Sequence, residues 1–136
     1  MPCTSAADHH VLNTLVCQQR QKFPAVLAEL EEKRRKTSCW IWWACPTELA
    51  GDCDPIGSYV TKDTAGLLLT SEASEEWRKV LEKLCELFEE SGVGVLPRVD
   101  QGRVFYFMEF WDRVPQKPSW MEEVLSRFHK FEWPSW

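Results

Sequence analysis

The sequence predicts a mainly α-helical protein, folded as a compact, single-domain, orthogonal helical bundle. Apolar residues recur at every third or fourth position within 75–90 and again after Ser119, a spacing typical of amphipathic helices. A chain of 136 residues that is 44% hydrophobic has the size of one domain and can bury a core without disulfides. We predict a flexible segment at 1–7, the helical domain at 8–130 and an aromatic tail at 131–136.

The first third of the chain predicts two helices followed by a tryptophan-rich stretch. Asp8 is a candidate N-cap, and the apolar residues after it follow helical spacing. Pro24 interrupts this pattern and suits the first turn of a second helix. Residues 35–46, which we call the indole-rich segment, contain three tryptophans within four positions. With Ser38 as its N-cap and Pro46 as its stop, this segment predicts a buried helix of about two turns.

The remaining chain contains one long loop, two clear helices and one ambiguous region. Residues 47–57 are rich in glycine, proline and aspartate and predict a loop, whereas 59–69 favours a short helix. The spacing predicts a helix over 75–90 and a last helix from Ser119 onward. Between them, 93–110 is typical of a short β-hairpin, because a glycine-containing turn separates two apolar runs. The hairpin is the alternative to helix there.

Charge and composition exclude several classes of function. A formal net charge of −5 weighs against nucleic-acid binding, which needs a basic surface. No apolar run reaches the ~18 residues of a membrane-spanning helix, and the N-terminus lacks the pattern of a secretory signal. We therefore predict a cytoplasmic, soluble protein that binds neither nucleic acid nor membrane.

The six cysteines are predicted to be reduced thiols, because no secretory signal is visible and the core is large enough to be stable without disulfide bonds. The spacing of Cys39, Cys45 and Cys53 matches no common zinc pattern. We therefore predict no metal and no cofactor.

The indole-rich segment is the strongest candidate for a ligand site. Trp40 and Trp43 are three residues apart and share one face of a helix. Their faces suit a flat or cationic ligand, while Arg35 and Lys36 suit a carboxylate or phosphate. The first hypothesis is a pocket for a small anionic or aromatic ligand, formed by these four residues and Ser38. The alternative is that the indoles only fill the core.

Cys39 is the one candidate catalytic residue, and whether the protein is an enzyme stays open. A thiol acts as a nucleophile when it is deprotonated, which Lys36 or Arg35 near a helix N-terminus would favour. No histidine has a suitable place in the sequence. The alternative is a small, buried, unreactive side chain.

A second function class is a non-catalytic interaction module. Trp133 and Trp136 lie in the aromatic tail, and tryptophan is enriched at the centres of protein interfaces. These two residues are therefore candidates for contact with a protein partner. The alternative is that the tail packs across its own domain.

Several short motifs in the first third of the chain resemble a known family. They are Val16-Cys17-Gln18, Phe23, Leu27-Ala28-Glu29-Leu30, the run from Arg35 to Trp42, and Pro46. Together they resemble a family of small, largely helical bacterial and algal proteins of unknown function, some of which are labelled calpastatin. The resemblance covers roughly residues 8–130 and implies a helical fold, including residues 103–111.

Three positions depart from the pattern of that family. Cys39 stands where the family has histidine, Cys45 where it has phenylalanine and Thr47 where it has glutamine. An acid–base role of the family histidine is therefore not implied for this chain, which would be a divergent member.

Overall fold

Six α-helices and one 3₁₀ turn form the regular structure of the computed structural model, which describes residues 6–49 and 59–134. The helices are α1 (Ala6–Lys33), α2 (Ile41–Ala44), α3 (Ala65–Leu69), α4 (Ser74–Ser91), α5 (Arg98–Asp112) and α6 (Ser119–Phe128), with the 3₁₀ turn at Val93–Val95. No β-strand occurs within these ranges. The prediction of a compact, mainly α bundle is confirmed.

Helix α1 is one continuous helix of 28 residues, so the predicted break at Pro24 is wrong. Proline removes one backbone N–H, so the carbonyl of Arg20, an exposed residue, loses its usual helical partner. Phe23, Val26 and Leu30 of the same helix are buried. Their burial continues past the proline, against α4, and outweighs the lost hydrogen bond.

At 93–110 the helical alternative is confirmed and the β-hairpin alternative is wrong, because this region forms the 3₁₀ turn and most of α5. Val104, Phe107 and Trp111 are fully buried at helical spacing. The local preference for a turn is a weak effect, and burial of this face outweighs it. Gly92 closes α4 with a positive φ of 83°, and its N–H donates to the carbonyl of Phe88 at 2.8 Å.

Aromatic side chains fill the core where α4, α5 and α6 meet. The ring of Trp77 lies edge to face with those of Trp111 (5.3 Å between centroids) and Trp120 (5.7 Å). Phe88 of α4 makes the same kind of contact with Phe128 of α6 at 5.4 Å. Such pairs stabilise the fold beyond simple burial. In the described part of the chain, no helix combines the length and apolar character needed to cross a bilayer.

Candidate functional site

The main chain at the end of α2 is held in place by side chains from three other helices. Four successive carbonyl oxygens accept hydrogen bonds there, in the pairs Gln19–Trp43 (2.9 Å), Trp77–Ala44 (2.8 Å), Arg103–Cys45 (3.1 Å) and Trp111–Pro46 (2.8 Å). A four-residue helix leaves its last carbonyls without partners of its own. The bundle supplies these donors, all of them buried, and thereby fixes the path of the indole-rich segment.

The start of the indole-rich segment is anchored to α1 through the carboxylate of Glu29. Its oxygens accept hydrogen bonds from the Thr37 amide (2.9 Å), the Ser38 amide (3.4 Å), the Ser38 hydroxyl and Trp40 Nε1 (2.7 Å). The predicted N-cap role of Ser38 is wrong, because α2 begins only at Ile41 and has no side-chain cap. The Ser38 hydroxyl serves the carboxylate instead.

The pKa of Glu29 reflects two opposing effects. Partial burial raises the pKa, but the hydrogen bonds from the Ser38 hydroxyl, the Thr37 amide and the Trp40 indole outweigh it and lower the pKa to about 2. A carboxylate that accepts several N–H and O–H groups is stabilised in its charged form. Glu29 therefore stays negative at physiological pH.

This anchor predicts an acid-dependent contribution to stability. Glu29→Gln should lower the free energy of unfolding by about 2 kcal/mol at neutral pH, after allowance for solvent screening. Because the folded-state pKa is depressed, the contribution is fully present above about pH 4.5 and is lost as the pH falls toward about 2. Urea unfolding across that range checks this.

Glu31→Gln is the matched control, since Glu31 is an exposed residue of the same helix. It should change the free energy of unfolding by less than about 0.5 kcal/mol at any pH. A difference between the wild type and Glu29→Gln that stays constant from neutral pH to the acid limit would contradict the assignment.

A cavity of about 250 Å³ lies between α1 and the indole-rich segment. Its walls comprise Lys22, Ala25, Val26, Glu29, Ser38, Cys39, Trp40 and Trp43. Four of the sequence-predicted site residues, numbers 38, 39, 40 and 43, therefore come together here. Typical pockets for drug-sized ligands measure about 300–1,000 Å³, so this cavity suits a smaller molecule.

The two predicted cationic residues lie outside this cavity. Arg35 is exposed. Lys36 Nζ lies 2.6 Å from Asp100 Oδ2, with only 7% and 11% of the two side chains exposed, and 5.5 Å from the centroid of the Trp40 ring. The charge of Lys36 is thus neutralised inside the fold, where it fastens the indole-rich segment to α5.

Lys22 and Glu29 are cavity residues that sequence reasoning missed. Lys22 Nζ lies over the ring of Trp43, 5.7 Å from its centroid. The indole is nine-tenths buried, and its Nε1 has no hydrogen-bond partner among the described residues. Positions 22, 25, 26 and 29 have the i, i+3, i+4, i+7 spacing of one helix face. That signal was present, but it spans the break expected at Pro24.

The cysteines divide into exposed and buried thiols. Cys17 and Cys39 are exposed, whereas Cys45 and Cys85 are buried. Burial raises the pKa of Cys85 to about 12 and raises that of Cys45 further still, so both stay protonated and inert. Among the residues described, no cluster of histidine, cysteine or acidic side chains could hold a metal ion.

The described part of the aromatic tail folds back onto the bundle. Trp133 Nε1 donates to the carbonyl of Phe128 at 2.8 Å, and its half-buried ring lies 5.1 Å from that of Phe88. Trp136 lies outside the described residues, as do positions 50–57 of the predicted loop and positions 1–5 of the predicted flexible N-terminus.

Comparison with known proteins found no relative of this chain. No family model, no curated protein and no solved structure matches the chain. The family resemblance of the motifs stays a prediction.

Proposed function

We propose that this chain is a small-molecule-binding domain whose site is the cavity lined by Trp40 and Trp43. The observation that carries the proposal is that two large indoles, a hydroxyl, a thiol and a carboxylate converge on one concave space of about 250 Å³. Ligand sites are typically largely preformed, mostly apolar and aromatic, with a few polar groups that orient the ligand. The cavity has this composition.

The fixed main chain beneath the cavity supports the same proposal. Trp43 and its neighbours are held by hydrogen bonds from α1, α4 and α5, and Trp40 is held by the Glu29 carboxylate. A rigid site loses little conformational entropy when a ligand binds. The ligand we propose is about the size of one aromatic ring or less.

The exposed thiol of Cys39 allows a direct test by alkylation of the native protein. We expect iodoacetamide to modify Cys39 and Cys17, which are exposed, and to leave Cys45 and Cys85 unmodified. A one-ring ligand, selected by tryptophan fluorescence from a fragment panel, should slow modification of Cys39 roughly tenfold when present at about ten times its Kd. Peptide mass spectrometry measures each site separately.

Cys17 is the internal control for this experiment, because it lies on α1 outside the cavity wall. Its modification rate should not change with ligand. Trp43→Phe should weaken binding, whereas Trp42→Phe, at the neighbouring indole outside the cavity wall, should not. Equal protection of both cysteines, or no protection by any fragment that alters the fluorescence, would contradict the proposal.

Two other roles have less support than ligand binding. A nucleophilic Cys39 would need an adjacent base or cation, but none of the residues described in the cavity wall is a histidine, and Lys36 is paired with Asp100. A partner-binding tail would need an available indole, whereas Trp133 is engaged with Phe88 and Phe128 of its own domain. A cytoplasmic location and the lack of a nucleic-acid partner stay predictions from composition.

A further inference from the structure

We infer that the ligand of the cavity carries a small organic cation, a primary or methylated ammonium group, which binds between the Trp43 ring and the Glu29 carboxylate. The inference rests on the proposed function and specifies the ligand's chemistry. It replaces the anionic ligand expected from Arg35 and Lys36, because neither of those side chains lines the cavity.

The first support is that the protein already places an ammonium group of its own on this ring. Lys22 Nζ lies 5.7 Å from the centroid of Trp43, within the distance at which the electron-rich indole face attracts a cation. Lys22 is an exposed residue at the cavity wall. Within the described ranges it forms no ion pair that would hold it there. A ligand cation can therefore take its place.

The second indole of the cavity, Trp40, also has a lysine ammonium group over its ring, but this contact is permanent. Lys36 Nζ lies 5.5 Å from the ring centroid of Trp40, but this ammonium group is buried and bonded to Asp100. It cannot be exchanged without breaking the ion pair. Of the two cation-bearing rings, only Trp43 holds a cation that is free to leave.

The third support is the charge of the cavity wall. Glu29 Oε2 accepts three of the four hydrogen bonds to that carboxylate, and Oε1 accepts only the one from Ser38. A carboxylate oxygen has about two acceptor sites, so Oε1 retains capacity for a further donor or cation. An anionic ligand that displaced Lys22 from the ring would instead meet the negative charge of Glu29 at close range, which is unfavourable.

The test compares three probes of similar size on the full chain by isothermal titration calorimetry. They are choline, its uncharged isostere 3,3-dimethyl-1-butanol, and benzoate. We expect choline to bind roughly tenfold more tightly than the isostere, because the isostere keeps the shape and loses the attraction to the indole and the carboxylate. Benzoate should bind more weakly than choline.

Variants of α1 identify the site of the cation. Lys22→Ala removes the competing ammonium group and should tighten choline binding roughly threefold, while binding of the isostere stays unchanged. Lys33→Ala, at an exposed lysine outside the cavity wall, is the matched control and should leave choline binding unchanged. Both positions lie outside the buried core, so neither change should unfold the protein.

Three outcomes would overturn the inference. They are equal binding of choline and its isostere, tighter binding of benzoate, and no binding of choline to either the wild type or Lys22→Ala. The proposed function survives all three if an uncharged or anionic fragment still protects Cys39 from alkylation. The failure of the cation and the failure of the cavity are thus distinguishable.

Discussion

Replacing Lys36 with methionine is expected to lower the free energy of unfolding by about 3–5 kcal/mol, because it leaves the Asp100 carboxylate buried without its counter-ion. The two groups lie 2.6 Å apart, with 7% and 11% of their side chains exposed. The substitution keeps most of the aliphatic length, so little packing should be lost. Urea or thermal unfolding followed by circular dichroism measures the change.

Removing both charges distinguishes the ion pair from simple packing. Lys36→Met combined with Asp100→Leu should recover most of the lost stability, since a buried pair can be replaced by apolar residues at little cost. Arg35→Met, at the exposed neighbour, is the control and should change stability by less than about 0.5 kcal/mol. A destabilisation no larger than that of Arg35→Met would return Lys36 to the list of ligand-binding candidates.

Arg103→Met is the second substitution with a large expected effect, a loss of about 3–5 kcal/mol in the free energy of unfolding. Arg103 is 1% exposed, and its Nε and one terminal nitrogen donate to the carbonyls of Cys45 (3.1 Å) and Leu49 (2.7 Å). Each hydrogen bond from a charged donor contributes about 1.5–3 kcal/mol. The carbonyl of Cys45 would stay buried without this donor.

Arg98→Met is the matched control for that experiment, because Arg98 is an exposed arginine on the same helix. Its free energy of unfolding should match the wild type within about 0.5 kcal/mol. Denaturant midpoints for the two variants, measured side by side, show whether Arg103→Met is less stable than Arg98→Met. Similar midpoints would mean that the Arg103 hydrogen bonds contribute nothing net.

Sequence reasoning predicted well those helices that have a single, clear amphipathic face. Helices α4 and α6 have an apolar stripe at helical spacing, and this pattern is local. Helix α5 and the continuity of α1 depend instead on contacts with distant elements. The turn signal near Gly102 and the proline at Pro24 are local preferences, and tertiary burial outweighs both.

The candidate site was predictable in part for the same reason. Trp40, Trp43, Ser38 and Cys39 are near neighbours in sequence, and the structure places them on one cavity. Glu29 and Lys22 belong to a helix that sequence reasoning had divided at Pro24. The role of Lys36 could not be predicted, because its partner Asp100 is sixty-four positions away and no local pattern specifies such a pairing.

The hydrogen bonds to the carbonyl groups of residues 43–46 have a consequence for how the protein unfolds. Side chains of α1, α4 and α5 donate hydrogen bonds to these four carbonyl groups. The donors therefore come from both halves of the chain. Detaching any one of these helices would remove the donor from at least one of these carbonyl oxygens. We therefore expect α1, α4 and α5 to unfold together in one cooperative transition.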